Sequence, residues 1–193
     1  MKADRGQIVF DDIVDSLEDR GLMDIYRTNA GGLAPSFFFE PLGIHGIFHA
    51  KRVLLLNLIL ANYYNLTGKD RDILVQASLY HDIGRTGNHA YCEHGRQSFN
   101  KMSRLSLIKV LGEDADILKY IVENHCIDDT IAIKEADSYE FADKARAIRL
   151  LKFFKDCDSL DRVRLGNLDI KYLRNEYSTR LVQVAEQLLR EVK

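Results

Sequence analysis

The chain has no tryptophan, only two prolines and only three cysteines among its 193 residues. Each shortage removes a class of answer. The cysteines, Cys92, Cys126 and Cys157, are scattered, odd in number and without a CxxC pair. That is no disulfide framework, and free thiols in a reducing cytoplasm are expected. Both prolines, Pro35 and Pro41, lie before residue 45, so nothing after them interrupts a series of helices. No run approaches the roughly 20 apolar residues of a membrane span. Val53–Leu60 comes nearest and is too short, so no membrane partner is expected. The start, Met1-Lys2-Ala3-Asp4-Arg5-Gly6, lacks the apolar core of an export signal, which again points to the cytoplasm. A net charge of -2 gives no field that would gather extended nucleic acid. There is no internal repeat and no low-complexity tract.

What remains is 46% hydrophobic and 29% charged, the balance of a soluble globular domain large enough to bury a core. Gln7–Arg20 places Ile8, Val9, Ile13, Val14 and Leu17 roughly on one face, and Gly21 ends it. Ala30–Gly43 carries Gly31-Gly32 and the Phe37-Phe38-Phe39 run between the prolines, and reads as a loop whose aromatics either fold over the domain or plug its core. Gly43–Tyr64 is apolar nearly all round, the mark of a central helix. Lys69–Ile83 follows, with Asp70 and Asp72 favouring its first turn. Glu93–Met102, Leu105–Leu111, Asp114–His125, Ala142–Phe154 and Glu176–Val192 are predicted as further helices. The expected fold class is all-α, with residues 1–43 a helix-and-loop extension packed on a helical domain over 44–193.

Six histidines, His45, His49, His81, His89, His94 and His125, all precede residue 126, and an aspartate-rich stretch holding Asp156, Asp158 and Asp161 follows. Neutral imidazole and carboxylate are the common ligands of Zn, Fe, Mn and Ni ions, and helices of a bundle can bring such ligands together from distant positions. Asp82 closes an apolar helix, where a lone carboxylate is costly to bury unless paired or metal-bound. Asp158 follows Phe154 by four and falls on its inward face. Arg52, three after His49, needs a carboxylate or a phosphate, and the sequence leaves the two readings level. Asp161 is expected to pair with Arg162, Arg164 or Arg52.

Three signals in order then carry a resemblance: His49-Ala50-Lys51-Arg52-Val53, the His81-Asp82 pair, and Asp158-Ser159-Leu160-Asp161. Together they resemble the HD-domain superfamily of metal-dependent phosphohydrolases over about Ile44 to Gly166. The resemblance implies an HD-type helical bundle with His49, His81, Asp82 and Asp158 around a primary divalent metal. It places His94 and His125 at a second metal bridged by Asp82, with His89 as the alternative to His94. It implies one or two ions drawn from Fe, Mn, Ni, Co, Zn or Mg, and hydrolysis of a small phosphate-containing substrate such as a nucleotide. His45 is the candidate general acid, and Arg52, Arg85 and Arg162 are candidates for a phosphate cradle. The segment Ile83-Gly84-Arg85-Thr86-Gly87-Asn88 lacks a following histidine, and no GYP triplet appears. The substrate therefore stays open. Two other readings accompany the hydrolase: a non-catalytic metal-binding regulatory domain, and a di-iron oxygenase of the same fold.

Overall fold

A computed structural model describes residues 10–89 and 91–193. Nine α-helices, separated by short 3-10 turns and without a strand among the described residues, make the fold all-α. α1 (Phe10–Asp19) realises the described part of the first expected helix, while Gln7, Ile8 and Val9 lie outside the described residues. Gly21, at φ 67, turns the chain into α2 (Leu22–Gly31). Both helices pack against α3 (Ile47–Tyr63), with Leu17 and Leu22 buried.

α3 is the central helix that its composition predicts. Val53, Leu54, Leu55, Leu56, Leu58, Ile59 and Leu60 are all buried, and α1, α2, α4, α8 and α9 surround it. Each such side chain contributes on the order of 1.5–3 kcal/mol by leaving water. α4 (Gly68–Tyr80) starts at Thr67, whose hydroxyl accepts from the Asp70 amide. Its buried Ser78 takes a 2.9 Å hydrogen bond from Asn57 of α3. The Ala30–Gly43 loop does both things expected of it. Phe38 is buried, Phe37 packs edge-on against Tyr80 of α4 with ring centroids 6.2 Å apart, and Phe39 stays exposed. Lys101 ties the loop to the end of α4 by donating to the Phe37 carbonyl (2.7 Å) and the Ile83 carbonyl (2.9 Å).

Two glycines set how closely the next helices approach. A Cβ on Gly84 would stand 2.1 Å from the Ser98 amide nitrogen, so only glycine lets the chain after α4 press onto α5 (His94–Arg104). A Cβ on Gly95 would stand 2.6 Å from the Val122 carbonyl oxygen, so α5 lies equally close to α6 (Glu113–Asn124). These approaches bring the beginning of α5 and the end of α6 to the end of α4.

The predicted helix over Leu105–Leu111 does not form. Ser106 turns with φ 54, and the segment runs on without regular structure, held by the Lys109 amide on Gln76 of α4 at 2.7 Å. Leu107, Ile108 and Val110 pack on the core while Leu111 is exposed, so tertiary docking replaces helical periodicity. α7 (Asp129–Glu135), unpredicted, is a short helix capped by Asp128 and held by the Tyr120 hydroxyl on the Ala132 carbonyl at 2.9 Å. α8 (Lys144–Leu160) runs six residues past its predicted end at Phe154 and so carries Asp156 and Asp158 on a regular helix. A run of 3-10 turns then leads to α9 (Val182–Glu191), where the predicted helix from Glu176 begins as 3-10.

Candidate metal centre

Four histidines reach one point from four helices, and local backbone needs fix how each ring faces. His81 stands just past the end of α4, and its Nδ1 lies 3.2 Å from the carbonyls of both Ala77 and Ser78. Carbonyls in a helix's last turn are left short of intrahelical donors, and a ring N–H adds one. His125 repeats the arrangement after α6, with Nδ1 on the Val122 carbonyl at 2.8 Å. His94 opens α5 with Nδ1 against the Tyr91 carbonyl. His49, on α3, points Nδ1 at Asp161 Oδ2, 2.7 Å away. These partners are carbonyl or carboxylate oxygens and only accept, so Nδ1 carries the proton in every ring. A neutral ring with its proton there leaves Nε2 as a bare lone pair.

The lone pairs are gathered rather than dispersed. His49 Nε2 and His81 Nε2 are 3.0 Å apart, as are His94 Nε2 and His125 Nε2. Neither pair can form a hydrogen bond between neutral rings, and two facing lone pairs repel. Carboxylates add more negative charge. Asp158 Oδ1 lies 3.3 Å from His49 Nε2 and 3.7 Å from His81 Nε2. Asp82 Oδ2 lies 3.6 Å from the same two nitrogens. Its other oxygen, Oδ1, lies 3.2 Å from His94 Nε2 and 3.6 Å from His125 Nε2. One donor atom from each of His49, His81 and Asp158 falls within 4.8 Å of the others, and the same holds for His81, Asp82 and His125. Buried donors converging without a proton to share are what a divalent cation requires, and imidazole with carboxylate suits several of them. The residues therefore fit a metal. The first subsite would be His49, His81, Asp82 and Asp158, the second His94, His125 and Asp82.

Electrostatics follow the same division. Burial drives His81 down to about 3, against the pull of Asp82 and Asp158, so it remains a neutral donor throughout the physiological range. Burial would raise Asp82, but the surrounding histidines, His81 first and then His125, His45 and His94, hold its carboxyl far below the usual range. Asp158 is likewise lowered: burial opposes this, and His49 and His81 outweigh it. His49 is raised on balance, because Asp158 and Asp161 outweigh burial and the Arg164 charge. Asp161 in turn accepts from Arg52 Nε at 2.6 Å and from Arg164 Nη1 at 3.0 Å. A ligand histidine held by a carboxylate behind it is the usual way to orient such a ring.

The remaining expected site residues divide. His45, in the turn before α3, puts Nδ1 2.7 Å from Asp82 Oδ2, and burial lowers its pKa. Arg85 donates from Nε to Asp82 Oδ1 at 2.8 Å. Arg162 is exposed on the cleft wall. Arg52, offered as a phosphate contact, sits elsewhere: it is buried behind His49, bound to Asp161 and to the Val192 carbonyl, and does not line the cleft. His94 faces Asp82, whereas His89 is exposed and stacked on Tyr91, so His89 does not replace it. Of the three arginines expected near Asp161, Arg52 and Arg164 pair with it and Arg162 does not. Sequence reasoning missed Asp161 as the support of His49. It also missed Cys126, whose sulfur lies within 4.8 Å of a donor of both His94 and His125. The Asp161 signal was present in the late Asp-x-Leu-Asp pattern, but the Cys126 placement had none.

The centre forms the floor of a cleft of about 720 Å³, lined among others by Ile44, Tyr91, Lys155, Arg162, Arg164 and Tyr172. Among the described residues no helix is long and apolar enough to cross a membrane. A family model described as HD domain matches residues 46–163. Comparison with the curated proteins and with the solved structures gives no match.

Proposed function

The chain belongs to the HD-domain family, the superfamily of metal-dependent phosphohydrolases, and from that premise we propose that it hydrolyses a nucleotide or a related small phosphate ester. The observation that carries this reading is the pairing of bare Nε2 atoms across two carboxylates at the floor of an open cleft. A divalent cation supplies Lewis acidity at such a place, making water nucleophilic near neutral pH and neutralising charge on phosphoryl oxygens.

The chain's own residues supply the rest. Asp82 and Asp158 bring negative charge to the floor, which favours a cation there and opposes binding of a phosphate without one. His45 lines the cleft beside Asp82 and is the candidate to give a proton to a leaving oxygen from its doubly protonated form, which burial opposes and Asp82 favours. Arg164 and Lys155 line the same wall but are bound to Asp161 and Asp129, at 3.0 Å and 2.5 Å. Arg162 has no intramolecular partner among the described residues and is the guanidinium available to a phosphate. A cleft of about 720 Å³ accommodates a nucleotide-sized ester.

The test is a panel of nucleotides and phosphodiesters offered to the full chain loaded with manganese, magnesium, zinc, cobalt or iron in turn. Hydrolysis that disappears in Asp158→Ala supports the reading. Tight metal binding without hydrolysis of any panel member would leave a regulatory metal-binding domain, and consumption of O₂ by the iron form would favour an oxygenase.

A further inference from the structure

The two subsites share Asp82 but are not equivalent. At the first, Asp158, the Nε2 atoms of His49 and His81 and Asp82 Oδ2 meet no arginine or lysine side chain among the described residues. The nearby guanidinium groups of Arg52 and Arg164 are turned to Asp161 instead. At the second, a cation is already present. Arg85, whose side chain is 10% exposed, donates from Nε to Asp82 Oδ1 at 2.8 Å. Its Nη2 lies 3.2 Å from His94 Nε2, a nitrogen that can only accept because Nδ1 is committed to the Tyr91 carbonyl. The third nitrogen, Nη1, donates to the His89 carbonyl at 3.3 Å. One guanidinium thus answers two of the three donors that a second metal would use, and a backbone contact holds it there.

We propose that Arg85 is the resident cation of the second subsite, so that the protein holds one tight divalent ion, at the first. This rests on the reading of the centre as a metal site. The substitution is chemically consistent. A guanidinium never loses its charge in this range, and its planar fork spans a carboxylate oxygen and an imidazole nitrogen together. Three of its five N–H groups are engaged by Asp82, His94 and His89, which leaves two for phosphoryl oxygens at the cleft face. Arg85 then takes over the charge-neutralising part of a second ion without its ability to activate water. Gly84 matters to this placement, because the close approach to Ser98 sets where the following side chain begins.

The experiment is metal stoichiometry, read by elemental analysis and by calorimetric titration of the chelator-stripped full chain with manganese(II). Wild type is expected to take up one tight equivalent, lost in Asp158→Ala. Arg85→Ala and Arg85→Gln should take up two, with the second dissociation constant tightened by about tenfold or more, as removal of a unit charge from a partly buried site implies. Adding His94→Ala to Arg85→Ala should return the count to one, and Arg85→Lys, which keeps the charge, should stay at one. Two tight equivalents in wild type would overturn the proposal. So would a single equivalent in both neutral Arg85 variants with melting curves like wild type, or a wild-type equivalent that survives Asp158→Ala and is lost in His94→Ala. Absence of any tight equivalent in wild type would remove the metal centre itself, a failure distinct from these because it appears before Arg85 is touched.

Discussion

Asp156 and Asp158 stand two residues apart on α8 and have opposite surroundings. Asp156 is completely buried and surrounded by donors: the Arg174 and Asn175 amides at 2.8 Å, the Asn175 side chain at 2.8 Å and the Arg174 guanidinium at 3.2 Å. Arg174 also binds Asp129, which pairs with Lys155. Asp158 meets the Nε2 lone pairs of His49 and His81, and no arginine or lysine pairs with it among the described residues. A structural carboxylate comes with its donors built in, since an unpaired buried charge costs several kcal/mol. A carboxylate surrounded by further lone pairs is arranged for a cation that comes from outside. Asp161, which accepts from Arg52 and Arg164 and fixes the His49 ring, belongs with Asp156.

Exchanging the two carboxylates gives the largest expected effect. Asp158→Ala should lower hydrolysis by roughly 10³-fold or more, as loss of metal assistance worth several kcal/mol implies. Its metal-free melting point should fall less than that of Asp156→Ala, because no arginine or lysine loses its partner. Asp156→Ala should do the reverse, lowering stability in urea by about 2–3 kcal/mol through the Arg174 and Asn175 amides and the Asn175 side chain left without an acceptor, while metal content per folded chain holds. A stability loss in Asp158→Ala equal to that of Asp156→Ala would erase the distinction.

Next in size is Asp161→Asn. It keeps the shape but weakens the hold on His49 Nδ1, and metal affinity should fall by about 10–100-fold in calorimetric titration. A smaller effect is expected of Arg162→Ala. Its guanidinium has no partner among the described residues, so KM for a phosphate substrate should rise by about tenfold, with metal content and melting point unchanged. The smallest is a pH slope. Asp129 is lowered to about 2, burial opposing and the hydrogen bonds from Arg174 and Lys155 prevailing. Its folded pKa is below the unfolded value of about 3.9, so its contribution is complete above pH 4 and is lost as pH falls toward 2. Asp129→Asn should flatten the fall in stability across that window. The effect is modest because the side chain is 39% exposed and its pairs are screened by solvent.

Much of the centre was legible in the chain. The ordered His49, His81-Asp82 and Asp158 signals, with His94 and His125 between, are the residues the fold brings to one point. Arg52 was open between phosphate and carboxylate because a sequence shows a helix face but not what lies opposite, and Asp161 is 109 residues away. Asp156 was not distinguished as a structural latch, for the segment that covers it, Arg174 and Asn175, belongs to no periodic element. Leu105–Leu111 was misread as a helix because three of its apolar residues dock on the core from an irregular segment, a pattern that period alone does not separate from a short helix.

The sequence by itself determined the all-α class, the central helix and the types of ligand. Composition and apolar periodicity act within a few turns, and imidazole and carboxylate carry their chemistry wherever they sit. Tertiary structure alone decided which nitrogen of each histidine is bare, which arginine is tied to a carboxylate and which is free, and that Arg85 reaches Asp82 and His94 together. Those outcomes depend on approaches of a few ångströms between segments far apart in the chain, such as Gly84 against Ser98 and Gly95 against Val122, where one Cβ would move a ligand out of reach.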